Sequence, residues 1–434
     1  MSSHNATSHT VGRAWHLRLR RHRHRFRAGT AAALFAVAGP GLLAGLSDDD
    51  PAGITTYSIL GAKYGYRLLW VLTLSTAALV LFHELGARMG VVTGKGLMTL
   101  VRERRSHRAS RIALGALLLA NLGTTCAEFA GVAAGAHLLA GVPRGVSVPL
   151  AAAAVTALVL RGSFHRVEHV LLGLSAVFAG YFIAGFLAHP DWGAAAHGLV
   201  VPSMPGTRDA VLVAVATLGT TLAPWGLAFI QSYAVDKRLG PQDLGYERVD
   251  VVAGAVMTGV IGLFIVVACA ATLHATHPDI KTATDAAQGL RPLAGSATSE
   301  LFGVGFLGAA LLAAAILPLS TAYSVAETFG AKADVDAPLR EAPLFYGTYL
   351  GVMAIAAALV LVPGAPLIPI LFLSQALNAV LLLVLLPFMR GIAADEAVMG
   401  AHRLGRTGRW TTGLAIALIA VSVITLGVLT VAPA

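Results

Sequence analysis

Long apolar segments joined by short polar connections run along almost all of this chain, and that pattern leaves few folds open to it. Eleven such segments are read over residues 30–61, 68–92, 112–140, 146–160, 167–188, 209–235, 249–274, 299–329, 343–362, 366–389 and 411–432. A helix needs about 20 residues to cross a bilayer, and a spanning segment must satisfy its own backbone because the hydrocarbon offers no water. Of the 434 residues, 56% are hydrophobic and 12% charged, whereas a soluble domain carries roughly 25% charged residues. The chain is therefore expected to be an all-α integral membrane protein of about eleven transmembrane helices.

The net charge of +9 has a topological explanation and implies no nucleic-acid partner. With the N-terminus inside, the inner segments carry 24 Lys and Arg residues and the outer loops 6. That bias orients the chain under the positive-inside rule. The expected protein is a multi-pass protein of the cell membrane, its partner the lipid bilayer, with a cytoplasmic N-terminus. Residues 1–28 alternate Arg and His between Arg18 and Arg27. They could be the basic start of a signal peptide, but no convincing cleavage site follows. A cytoplasmic arm near anionic lipid is the better reading, and metal binding by His22 and His24 the weaker one. Cys126 and Cys269 both fall in apolar segments, so small buried thiols are expected rather than a disulfide framework.

The first apolar stretch is interrupted by Ser47-Asp48-Asp49-Asp50-Pro51-Ala52-Gly53. Charge at that depth is costly and marks a functional site by default. Pro51 and Gly53 would break the helix and free carbonyls, which is tolerable only around a cavity. The sixth stretch has its own break, Leu218-Gly219-Thr220-Thr221-Leu222-Ala223-Pro224-Trp225-Gly226. Gly and Pro are common in membrane helices and can simply kink them. Two broken helices five spans apart, one of them acidic, point instead to a midplane site in an inverted-repeat transporter. The expected organisation is a ten-helix core at 29–390, with LeuT-like repeats of about 29–190 and 205–390 and broken first and sixth helices. A cytoplasmic loop and an eleventh helix occupy 391–434.

Glu128, mid-way along the third stretch, is the natural second carboxylate of a divalent-cation site, or else a protonated structural residue. Thr220 and Ala223 would contribute freed carbonyls. Asp48 and Asp49 are weaker candidates, placed on the approach as cation concentrators. Gln375 and Asn378 in the tenth stretch could make a polar contact during occlusion or a plain helix–helix bond. His83, Glu84 and Arg88 read as an inner polar network.

Asp50-Pro51-Ala52-Gly53, followed by Gly61-Ala62-Lys63-Tyr64-Gly65-Tyr66-Arg67-Leu68-Leu69-Trp70, resembles the first span of the Nramp divalent-metal transporters. Their pattern there is Asp-Pro-Gly-Asn followed by Gly-Tyr-x-Leu-Leu-Trp. Arg88-Met89-Gly90-Val91-Val92-Thr93-Gly94-Lys95-Gly96-Leu97 is similar to the end of that family's second span, and the likeness covers about residues 35 to 390. The resemblance puts Asp50 at the family's metal-binding Asp and Gly53 where its Asn would stand. It also puts Ala223 at the family's Met, Trp225 at its His, and Thr125 at an Asp linked to proton transfer. This combination resembles the Nramp-related magnesium transporter branch.

A thioether is a soft ligand that disfavours hard alkaline-earth ions. Without it, Asp50, Glu128, backbone carbonyls and the space beside Gly53 and Ala223 suit a partly hydrated Mg²⁺, and Mn²⁺ equally. The expected protein is an alternating-access importer of Mg²⁺ and Mn²⁺, not an enzyme, uncoupled from protons and holding no permanent cofactor. The membrane potential would assist it by about 2.3 kcal/mol per charge per 100 mV. The nearest rival is a proton-coupled Mn²⁺/Fe²⁺ symporter. A sodium-coupled amino-acid transporter fits less well, because an acidic first break would repel a substrate carboxylate. A membrane-embedded hydrolase using Asp50 and Glu128 lacks any supporting metalloprotease or serine-nucleophile pattern.

Overall fold

The computed structural model describes residues 40–161, 170–171, 173–276, 280, 285, 296–364 and 367–431. The basic tail at 1–28 and the first part of the expected fifth span lie outside the described residues. All regular secondary structure among the described residues is helical.

The first apolar stretch is two helices, α1 (Pro40–Asp48) and α2 (Pro51–Tyr64). Next come α3 (Leu69–Thr93), α4 (Leu97–Arg104), α5 (His107–Ala140) and α6 (Arg144–Arg161). A 3₁₀ turn at Ser175–Phe178 leads into α7 (Ala179–Leu187), and α8 (Trp192–Val200) follows. The sixth stretch is again split, into α9 (Arg208–Thr221) and α10 (Pro224–Asp236). The remaining helices are α11 (Leu244–Thr272), α12 (Ser296–Phe329), α13 (Pro343–Leu361), α14 (Leu367–Ala393), the short α15 (Glu396–Met399) and α16 (Arg406–Val431).

Eight of these segments, α9 and α10 taken together, are long and apolar enough to cross a membrane by length and composition. The broken α1–α2 pair, α6 and the Ser175–Leu187 segment sit where the other spans were expected. Length and composition alone therefore do not fix the count of eleven. Helices α4 and α8 occupy stretches read from the sequence as connections. The third and seventh spans begin about a turn earlier than expected, at His107 and Leu244.

Burial separates the core from its periphery. The most apolar window of α9–α10 is 94% buried, whereas that of α16 is 6% buried. The broken spans are therefore central, and α16 presents its side chains outward. Helix α11 packs against α1, α2 and α3, α12 packs on α5, and α14 lies against α5 and α9.

The α1–α11 contact is made backbone to backbone. A Cβ on Gly45 would lie 2.4 Å from the Gly254 carbonyl carbon, and one on Gly254 would lie 2.2 Å from the Gly41 oxygen. At that range Asp250 reaches the start of α1, its Oδ2 accepting from the Gly41 N–H at 2.7 Å and its Oδ1 from Leu42 at 3.3 Å. The Asp250 carboxylate thereby binds two backbone N–H groups of α1 directly. Thr258 donates its hydroxyl to the Gly45 carbonyl at 2.5 Å.

Candidate metal site

Each break follows from a proline at the first residue of a helix. Pro51 opens α2, and Asp50 precedes it as N-cap in extended conformation (φ −74°, ψ 169°). The Asp50 Oδ1 accepts the Gly53 N–H at 2.5 Å, a charge-compatible cap on a helix N-terminus. Pro224 opens α10 behind an extended Ala223 (φ −76°, ψ 137°). Proline has no N–H, so the carbonyl four residues back, that of Thr220, loses its helical donor. The hydroxyl of Thr220 is also buried without a hydrogen-bond partner.

The two breaks meet. A Cβ placed on Gly53 would lie 2.9 Å from Thr220 Oγ1, 3.1 Å from Asp50 Oδ1 and 3.2 Å from the Asp48 carbonyl oxygen. Tyr57 and Thr221 share a hydroxyl–hydroxyl bond of 2.9 Å that ties α2 to the end of α9. Helix α5 crosses the start of α2 with Gly131 against the Pro51 ring, where an added Cβ would come within 2.5 Å. Glu128 sits one turn earlier on that face. It is 0% exposed, and its carboxyl lies against that of Asp50, close enough to share a hydrogen bond with it.

The structure thus brings together Asp50, Glu128, Gly53 and Thr220, with the Ala223 backbone at the facing break. These are two carboxylates plus the C-terminal ends of two half-helices, α1 and α9, whose last carbonyls carry partial negative charge. Among the described residues, no group of three or more His, Cys, Asp or Glu side chains could hold a metal ion. Any cation here needs backbone oxygens to complete its shell. Asp50 is 3% exposed, Thr220 1% and Ala223 2%, so the cluster is shielded from solvent in this conformation.

The remaining candidates distribute as follows. Asp48 and Asp49 are buried, not set along an open approach, and none of their carboxylate oxygens has a hydrogen-bond partner. Asn378 donates to Thr124 Oγ1 on α5 at 3.4 Å and to Gln375 Oε1 at 3.1 Å, and Gln375 donates to Ser374. The first of these ties α14 to α5 one turn before Glu128, and the other two lie within α14. Thr125 spends its hydroxyl on the Asn121 carbonyl at 2.6 Å. The Trp225 carbonyl accepts from Ser320 at 2.8 Å, fixing α10 to α12. Glu84 pairs with Arg88 and, at 2.7 Å, with Arg248, while His83 turns away from them toward Asp48. Sequence reasoning missed that last meeting.

The fold has solved counterparts. A manganese transporter of Eremococcus coleocola, crystallised with an aromatic bis-isothiourea compound, superposes with a TM-score of 0.74 at 19% identity, covering 93% of this chain and 88% of that one. The nucleobase–cation symporter Mhp1 matches at 0.54 with 14% identity over 90% of each chain, and MhsT in complex with L-phenylalanine at 0.56 with 13% identity over 88% of this chain and 98% of that one. These likenesses establish the LeuT-like transporter fold. In sequence, the chain is 33% identical to the divalent metal cation transporter MntH of Burkholderia ambifaria over 64% of each chain. It is 30% identical to MntH of Bacillus subtilis over 65% of this chain and 68% of that one. The aligned part thus spans slightly less than two thirds of the Burkholderia protein. Residues 41–431 match the family described as natural resistance-associated macrophage protein-like. The chain belongs to the Nramp family.

Proposed function

We propose that this protein carries divalent metal ions, Mn²⁺ among them, across a membrane by alternating access, binding the ion between α2, α5 and the α9–α10 break. The observation that carries the reading is the convergence of Asp50, the buried Glu128 beside it and Thr220 at the meeting of two broken helices. A buried carboxylate pair calls for a cation or a proton between its members. Half-helix C-termini and unwound carbonyls are how this class of fold coordinates cations. The names of the relatives, divalent metal cation transporters and a manganese transporter, support Mn²⁺ as substrate.

A second reading, Mg²⁺ transport without proton coupling, rests on Gly53, Ala223, Trp225 and Thr125 standing where the resemblance placed Asn, Met, His and Asp. An all-oxygen donor set accepts Mg²⁺ and Mn²⁺ alike. The relatives named above favour manganese and lend no support to the magnesium branch. Uptake of Mn²⁺, Mg²⁺ and Ca²⁺ into proteoliposomes, with a pH dye inside, separates the readings. Mn²⁺ uptake without Mg²⁺ uptake, accompanied by acidification, would leave the proton-coupled manganese symporter. Mg²⁺ uptake with a silent dye would support the second reading. Uptake of none of the three would sink both.

A further inference from the structure

Asp48 faces two ways. Its carbonyl oxygen lies in the Asp50–Gly53–Thr220 cluster, 3.2 Å from the position of a Cβ on Gly53. Its carboxylate points toward α3 and α10, where Oδ2 stands 3.7 Å from His83 Nε2, both side chains being 0% exposed. Gly226 of α10 faces the same pair, and a Cβ there would lie 3.0 Å from Asp48 Oδ1 and 3.3 Å from His83 Nε2. Neither oxygen of the Asp48 carboxylate and neither ring nitrogen of His83 has a hydrogen-bond partner. Glu84, the next residue on α3, is taken up by Arg88 and Arg248 and does not serve them.

Buried polar atoms are nearly always satisfied, and each one that is not carries a desolvation cost. Four of them on two side chains that meet beside one glycine ask for an occupant. A separation of 3.7 Å is too long for a hydrogen bond. It suits two ligands of one ion, since metal bonds of about 2.1 Å hold ligand atoms about 3 to 4 Å apart.

We propose that Asp48 and His83 form a second divalent-cation site, on the α1 side of the first break, that receives the ion leaving Asp50. The inference rests on the transport reading above and adds a station to it. Because one residue supplies a carbonyl to the central cluster and a carboxylate to this pair, an ion can pass between them without crossing an apolar gap. The donor set is one imidazole nitrogen and one carboxylate, which accepts Mn²⁺, Fe²⁺ or Zn²⁺ and disfavours Mg²⁺. The chain thereby holds a nitrogen ligand that the all-oxygen central cluster lacks.

Electron spin-echo envelope modulation on Mn²⁺ bound to the full-length protein in nanodiscs tests the site, because an imidazole ligand couples its ¹⁴N to the manganese spin. The wild type should show that modulation, His83→Gln should lose it, and Asp50→Ala should keep it. Histidines of the basic tail would give a signal that His83→Gln leaves intact, so the readout is the difference between the two proteins. His83→Asn replaces His83→Gln if the latter is not recovered folded. In proteoliposomes the Mn²⁺-over-Mg²⁺ preference should fall about tenfold or more in the same variant, since losing a direct ligand costs at least what losing an outer-shell partner does. Modulation unchanged by His83→Gln overturns the second site, as does Mn²⁺ bound in an Asp50-dependent manner with no ¹⁴N coupling. Absence of Mn²⁺ uptake by a wild type that still shows the coupling would instead count against the transport reading.

Discussion

Alternating access requires one half of a broken helix to leave its neighbour, and the α1–α11 contact shows what holds it. Gly254→Ala would place a Cβ 2.2 Å from the Gly41 oxygen, 2.7 Å from the Gly41 carbonyl carbon and 2.9 Å from Leu42 Cα. All three are backbone atoms, so no side chain can swing aside and the helices must separate. Overpacking of this kind costs about 1–3 kcal/mol. Separation also stretches the Asp250–Gly41 and Thr258–Gly45 bonds, each worth about 1 kcal/mol or more. A penalty of about 2 kcal/mol on the docked state shifts a two-state equilibrium roughly thirty-fold toward undocked α1. Val251 is 0% exposed and lies against Gly41 in this interface. A cysteine at Val251, with Cys126 and Cys269 replaced by Ala, therefore reports docking through its rate of reaction with a soluble maleimide. Adding Gly254→Ala should raise that rate by about the same factor, until undocking is no longer the minor state, and should slow Mn²⁺ uptake. An unchanged labelling rate in protein of normal thermal stability would refute the claim that this contact holds α1 docked.

Thr220→Val keeps the carbonyl and the shape of the side chain and removes the hydroxyl; Mn²⁺ uptake should keep its KM within a few-fold, and a collapse would make the hydroxyl the donor instead. Ala223→Met should raise competition by Cd²⁺ against Mn²⁺ uptake, because a thioether favours soft ions, and an unchanged inhibition profile would count against a site wall at Ala223. Tyr57→Phe removes the bond that ties the two breaks together and should lower thermal stability by about 0.5–1.5 kcal/mol, read by melting in detergent; no change would mean the breaks are held without it.

The breaks were legible because Asp, Pro and Gly inside an apolar run contradict the run itself. Asp48 and Pro51, and likewise Thr221 and Pro224, bound helices where the composition placed them. Glu128 was legible as the lone carboxylate mid-way along its span, and Asp50 was set apart from its acidic neighbours by the resemblance to the Nramp first span. What stayed hidden depends on contacts between distant segments. Asp250 binds the α1 backbone from 209 residues away, and no local pattern announces it. His83 was read with its helix neighbours Glu84 and Arg88, since spacing along one helix was the only geometry available. The rotation of α3 that turns His83 toward Asp48 is set by packing on α10 and α11. Gly53 was legible as a missing side chain, but not as the place where Thr220 moves in. Helices α4 and α8 were missed because short amphipathic pieces carry little periodicity.

The central claim is that one divalent ion sits between Asp50, Glu128 and the carbonyl freed at Thr220. Anomalous diffraction from Mn²⁺-soaked crystals of the wild type, Asp50→Ala and Glu128→Ala tests it most directly. The account predicts a wild-type peak within about 2.5 Å of an Asp50 carboxylate oxygen and close to Glu128. That peak should be lost in Asp50→Ala and weakened in Glu128→Ala, with Mn²⁺ uptake falling in the same order. A wild-type structure with no peak in reach of both Asp50 and Glu128, or a peak there that survives both substitutions, would contradict it, whereas a separate peak between Asp48 and His83 belongs to the second site.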